Sequence, residues 1–211
     1  IDSKEHSVQI YFDVTAELVV NEPSQKVIWS RSKINDIEAI RFGTAEQPIL
    51  DKKGDNLRID WGFLYLCFEK NNYSSSSILS YNISRENFIK LGALINEDDL
   101  RNPRPASDSW PVLSYIYNLE NVKEEKRNYI ALIYDDIFSI QYFYRNLKPY
   151  WSKTYSTNEL IKKSISQFQE IYSKCVNFDE ELVSDLLKVG GNNYATIASL
   201  AYRQGLAANK I

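Results

Sequence analysis

The chain has 211 residues, 44% hydrophobic and 25% charged, with a formal net charge of -3. At about 100–200 residues per domain this is one large domain, or one domain with part of a second. No apolar run approaches the ~18 residues that suggest a membrane-spanning helix, and no cluster of Lys and Arg supplies a footprint for nucleic acid, so neither a membrane span nor a nucleic-acid partner is expected.

Residues 8–20 alternate, with Val8, Ile10, Phe12, Val14, Ala16, Leu18 and Val20 set against Gln9, Tyr11, Asp13, Thr15 and Glu17. That period predicts one long half-buried strand. After a turn cluster at 21–24, residues 26–31, with Val27, Ile28 and Trp29, predict a second strand, and residues 37–42, ending at Gly43, a third. A polar turn at 51–56 leads into an aromatic-rich strand over 57–68 with Gly62 inside it, where glycine marks a bulge or a close approach. Four serines at 74–77 predict a flexible loop tip, and the polar stretch 96–109, with Pro103 and Pro105, a long surface loop. Residues 112–119, 128–134 and 137–144 read as three more strands rich in Tyr, Ile and Phe. At least seven strands with antiparallel spacing predict a mainly β fold, an antiparallel β-sandwich.

Past Pro149 the period becomes helical. Ser156 and Glu159 form a capping-box signature, and Ile161, Ile165, Phe168, Tyr172 and Cys175 follow at helical spacing. Phe178 and Asp179 predict the start of a second helix, with Leu182, Val183, Leu186 and Leu187 as its stripe and Gly190 as its end. A third helix starts at Asn192 or Asn193 and presents Tyr194, Ile197, Ala198, Ala201, Gly205 and Ala208 along one side. Leu200 and Leu206 widen its apolar character beyond one ~100° stripe, so it expects partners on more than one side. The predicted division is a β region at 1–149 and a helical segment at 150–211.

Several segments together resemble the secreted glutaminase-like family. They are Gly43-Thr44-Ala45-Glu46-Gln47-Pro48, the stretch 53–62 ending Asp60-Trp61-Gly62, Arg104-Pro105 with Trp110-Pro111-Val112, the stretch 134–143, and Leu200-Ala201-Tyr202-Arg203-Gln204 with Ala207-Ala208. The resemblance implies a β accessory domain preceding a large α/α toroid that hydrolyses glutamine to glutamate and ammonia, at a secreted or periplasmic address. It implies that residues 150–211 are the truncated start of that toroid, that the C-terminal helical domain of the same protein is the missing partner, and that a fragment of this extent is inactive alone. It places no catalytic residue on this sequence. The chain opens at Ile1 with no Met and no signal pattern before Val8, which reads as a cut or processed piece.

His6 is the only histidine, and Cys67 and Cys175 are the only cysteines. No zinc ligand set and no Ser-His or Cys-His couple can be assembled from them, so no metal and no cofactor is expected. His6 reads as inert surface near a mobile end, and pairing of the two cysteines stays open. Asp135 and Asp136 could divide acid and base work, but adjacent strand residues point to opposite faces, which favours a turn or strand end. Asp60 has two readings: an exposed ion pair with Arg58 beside a core-packed Trp61, or a carboxylate that a bend at Gly62 aims at the domain junction. Tyr202, Arg203 and Gln204 are the strongest substrate-binding candidates, because Arg grips a carboxylate in bidentate fashion and Gln matches an amide donor for acceptor. Against this, Arg203 and Gln204 also suit the polar flank of an amphipathic helix. The rival to a glutaminase part is a stand-alone glycan- or peptide-binding module using exposed aromatics on one sheet face.

Overall fold

The computed structural model describes residues 4–54 and 58–208. In chain order these form strands β1 (His6–Thr15), β2 (Lys26–Ile34), β3 (Ile37–Thr44), β4 (Phe63–Glu69) and β5 (Ser74–Ser80), helix α1 (Tyr81–Leu91), strands β6 (Arg104–Pro105), β7 (Pro111–Val122), β8 (Ala131–Asp135), β9 (Ile140–Tyr142) and β10 (Arg145–Leu147), and helices α2 (Thr157–Ser166) and α3 (Phe168–Ala208). The strands make a three-stranded sheet in the order β1-β7-β5, a five-stranded sheet in the order β6-β2-β3-β4-β8, and the β9-β10 hairpin. Every pairing is antiparallel. The protein is thus built of antiparallel sheets followed by a helical segment, as the two periods predict. No helix among the described residues is long and apolar enough to cross a membrane.

Strand period two sets where the core lies. Leu64, Leu66 and Phe68 of β4 join Ile40 and Phe42 of β3, Val14 of β1, Ile78 of β5 and Leu113 and Tyr115 of β7 in one cluster fed by both sheets. The alternate side chains Phe63, Tyr65 and Cys67 emerge on the other face, where Ile161 and Ile165 of α2 cover them. β4 is therefore buried on both faces, which is why its sequence is an almost unbroken apolar run. Each fully buried Leu, Ile or Phe contributes about 1.5–3 kcal/mol, so this strand is the centre of gravity of the fold. The loop after α1 is tied to β2 at Asp99: its carbonyl accepts from Trp29 Nε1 at 2.9 Å, and its carboxylate takes Arg101 Nη2 at 2.8 Å and Arg104.

Several local expectations are corrected. The first strand stops at Thr15, and a single 3-10 turn, Ala16–Val19, buries Ala16 and Val19 instead of continuing the alternation. The fourth begins at Phe63, leaving Asp60, Trp61 and Gly62 in the loop before it; residues 55–57 lie outside the described residues. The serines at 74–77 are not a loop tip but half of β5, paired with β7 from Ser74↔Tyr117 to Ser80↔Pro111. Small side chains suit this position, since Ser76 and Ser77 are buried. Residues 137–144 do not form one strand; β9 takes only 140–142, and the chain turns back at 143–144 into β10. Helix α1 carries no sequence signal, because Ile83, Ile89 and Leu91 are exposed and leave no apolar stripe to read.

The capping box at Ser156 and Glu159 is present, with the Ser156 N–H donating to Glu159 Oε2 at 2.8 Å. The next break falls at Gln167, not at Asp179, which lies inside α3. The break expected at Gly190 falls at Gly191, whose φ of 69° and ψ of -169° interrupt α3. Phe178 and Tyr202 nevertheless meet, with ring centroids 5.6 Å apart. A straight helix at about 1.5 Å per residue would separate them by about 36 Å, so the two arms of α3 fold back on one another at Gly191. Ile197, Leu200 and Leu206 remain exposed on the second arm.

Candidate functional site

The chain leaves β3 at Thr44 and re-enters the sheet at Phe63 of β4, and the intervening loop is closed by one side chain. Gln47 Oε1 accepts from the Gly62 N–H at 2.6 Å, while its Nε2 donates to Thr44 O at 2.9 Å and Gly62 O at 3.1 Å. An amide matches this geometry because it carries a donor and an acceptor side by side. Gln47 itself holds φ 49° to reach it.

Asp60 lies within this loop at 1% exposure. Its Oδ2 accepts from Gln25 Nε2 at 2.8 Å and Lys52 Nζ at 2.5 Å, and its carbonyl accepts from Thr44 Oγ1 at 2.6 Å. A buried carboxylate needs polar partners, and the Lys52 ammonium and the Gln25 amide supply them. Arg58 is not its partner; that guanidinium lies 3.6 Å from Glu17. Trp61 is half-buried, and its Nε1 donates to Phe138 O at 3.0 Å.

Gly62 completes the loop by close approach. Its φ is 80°, and a Cβ there would lie 2.1 Å from Asp135 O and 2.8 Å from Asp136 Cα. Tyr134 closes the other side, donating to Trp61 O at 2.8 Å. Burial, and then the Asp136 and Asp60 carboxylates nearby, push its phenol well above the ordinary range, so it remains a donor. Asp135 ends β8 and Asp136 follows it, the turn position expected for the pair. They serve separate elements: Asp135 Oδ2 accepts from Thr157 Oγ1 at 2.5 Å at the start of α2, while buried Asp136 accepts from Ser139 Oγ at 3.2 Å. The Asp135 charge also faces the positive end of the α2 dipole.

The arrangement is a clasp. Its carboxylates are engaged by donors from neighbouring loops, and its phenol is held protonated. It binds three pieces together: the 45–62 loop, the end of β8 and the opening of α2. Tyr202, Arg203 and Gln204 stand apart on the second arm of α3, exposed, with Tyr202 against Phe178. No described hydrogen bond or ring contact joins them to Asp60. Among the described residues no three His, Cys, Asp or Glu side chains gather as they would around a metal ion. Cys67 and Cys175 are unpaired thiols, one buried and one exposed. The residues that sequence reasoning missed are Gln25, Gln47, Lys52 and Tyr134; Gln47 and Tyr134 stand in segments that carry the family resemblance, and Gln25 and Lys52 carry no local signal.

The chain matches over residues 1–185 a family model described as "Domain of unknown function (DUF5127)". It is also similar to a protein named Glutaminase A from Aspergillus oryzae (strain ATCC 42149 / RIB 40), 25% identical over 220 residues. That alignment takes in 99% of this chain and 31% of the relative, so the chain spans about a third of the length of the curated protein it matches. With the family match extending over most of its residues, the chain belongs to the DUF5127 family.

Proposed function

We propose that this chain is the accessory part of a glutaminase-like hydrolase. Its residues 1–149 act as a β-sandwich that scaffolds and partly walls the active site, and residues 150–211 open an α/α toroid that carries the chemistry. The reaction assigned to the whole protein is hydrolysis of glutamine to glutamate and ammonia, outside the cytoplasm, in a secreted or periplasmic setting. The observation that carries this reading is the similarity to Glutaminase A, which takes in 99% of this chain but only 31% of the relative. Apolar side chains exposed along α3, Ile197 and Leu200 among them, support it by asking for further helices to cover them.

In this reading the Asp60 loop does its work from behind the site, holding the sheet end and α2 in fixed relation. Arg203 and Gln204 are the side chains offered to a glutamine-like ligand, the first to its carboxylate and the second to its amide, with Tyr202 positioned by Phe178. The test is ammonia release from glutamine, measured for the full-length gene product and for the 211-residue chain. Release by the full-length protein alone is the expected result. Turnover by the short chain that disappears in Arg203→Ala would place catalysis here and overturn the accessory role. Glycan affinity in the short chain, with no ammonia from the long one, would favour a stand-alone binding module.

A further inference from the structure

In the β9-β10 hairpin Tyr142 pairs with Arg145, so Phe143 and Tyr144 are the whole of the turn. Both have positive φ, 42° and 63°. A two-residue turn of that hand suits Asn-Gly, whereas a bulky side chain at positive φ is an outlier among folded chains. Burial does not repay the strain here, since Phe143 is 76% and Tyr144 96% exposed. Strain of this kind persists where the surroundings over-determine it, and it collects at clamps and docking points. The hairpin's base is over-determined: Ser139 N donates to Leu147 O at 2.8 Å, Trp61 Nε1 holds Phe138 O, and Gly62 backs onto Asp135 and Asp136.

The surroundings select a partner. Tyr142, Tyr150 and Trp151 are exposed as well, so five aromatic side chains face solvent between residues 142 and 151. From 137 to 155 the sequence holds Arg145, Lys148 and Lys153 and no acidic residue, in a chain whose net charge is -3. This segment is the seam between the sheets and α2. The helical side carries the opposite chemistry: a groove of about 640 Å³ on α3 sets Val183 and Leu187 beside Asp179 and Glu180, and the one cation lining it, Lys188, is paired with Asp185 at 3.0 Å. Aromatic rings with a basic surround complement an apolar helical groove with an acidic rim.

We propose that the hairpin is a docking finger, with Phe143 and Tyr144 entering an apolar, acid-rimmed socket on the helical domain of the same polypeptide. Arg145 and Lys148 then meet the rim. The inference rests on the reading of this chain as one part of a longer helical enzyme, for which the 31% coverage of Glutaminase A supplies the further chain length.

The test uses Phe143→Asn combined with Tyr144→Gly, which installs the turn the hairpin prefers and deletes both rings. In the 211-residue chain the double variant should melt about 2–6 °C higher. In the full-length gene product it should melt lower, and hydroxyl-radical footprinting of the wild type should find both rings oxidised several-fold more slowly than in the short chain. Equal footprints, or equal stabilisation of both lengths, overturns the proposal. So does dimerisation of the short chain that the double variant abolishes, which would make the α3 groove of a second copy the occupant. Binding to anionic vesicles that requires the two rings overturns it in favour of a lipid surface. Ammonia release from glutamine by the wild-type full-length protein is scored separately. Protected rings without ammonia leave docking standing and sink the glutaminase reading; ammonia with exposed rings does the reverse.

Discussion

Gly62→Ala tests whether the loop and the end of β8 are locked by close approach. The added Cβ would stand 2.1 Å from Asp135 O, and the φ of 80° must be kept by a residue that resists it. The left-handed conformation costs an L-residue about 1–2 kcal/mol. The contact is with backbone, so no rotamer change relieves it, and either the 135–136 segment or the loop has to move. Movement strains the Gly62 N–H bond to Gln47 at 2.6 Å and the Tyr134 bond to Trp61 O at 2.8 Å, each worth about 1 kcal/mol net. The sum is about 3–4 kcal/mol, and at about 2–4 °C per kcal/mol for a chain of this size Tm should fall by about 6–16 °C. Gly92→Ala is the comparison. It also has positive φ, 63°, but its Cβ would meet only the end of the Gln9 side chain, which can swing aside, so the conformational cost of about 1–2 kcal/mol stands alone. Calorimetric melting of the two variants decides the matter: if they melt together, the close approach contributes nothing and the argument fails.

Burial raises the Asp99 carboxyl, but hydrogen bonds from Arg101 and Arg104 outweigh it and hold the group at about 2 against an ordinary 3.8. Stability from a depressed carboxyl is present above its unfolded pKa and lost as pH falls through the folded one, so the urea midpoint should drop between about pH 4 and pH 2. Asp99→Asn should flatten that part of the profile, and an unchanged slope would refute the assignment. A thiol reagent should modify one cysteine in the native chain and two after unfolding, because Cys175 is exposed while Cys67 is buried and its thiol pushed up to about 12 by that burial; two fast native thiols would contradict the packing of β4. Hydrogen exchange in the dilute 211-residue chain should find residues 192–208 less protected than β4, since local stability follows buried apolar contact; equal protection would mean the second arm of α3 is already fully supported.

The sequence disclosed what depends on near neighbours. The apolar, aromatic-rich run at 63–68 marks β4 because a strand buried on both faces needs apolar side chains at successive positions, and the Ser156–Glu159 box marks α2 because both partners lie within one turn. It failed where distant chain decides. Ser74 and its successors read as a loop until β7 is seen pairing with them along their whole length. Asp60 had two readings, an exposed pair with Arg58 or a carboxylate aimed at the domain junction, and neither names its partner Gln25, which is 35 residues away with nothing in either segment to announce the other. Gly62 was the one local sign of that site, since only a glycine tolerates such an approach. The substrate candidates on α3 rest on side-chain chemistry alone, and the fold leaves them exposed on its second arm.

The family match ends at residue 185, inside α3 and short of the turn at Gly191. A chain divided at 185 keeps Phe178 and discards Tyr202, the ring it rests on; what remains of the first arm is held by Phe168 stacked on Tyr129 at 4.2 Å. A helix of that length is marginal in water without a packed face. Any sequence joined after residue 185 must therefore bring an aromatic or bulky residue to the place of Tyr202 and a reversal to the place of Gly191, or the first arm will fray. The first arm of α3 thus depends on a second arm that returns to it through a single glycine.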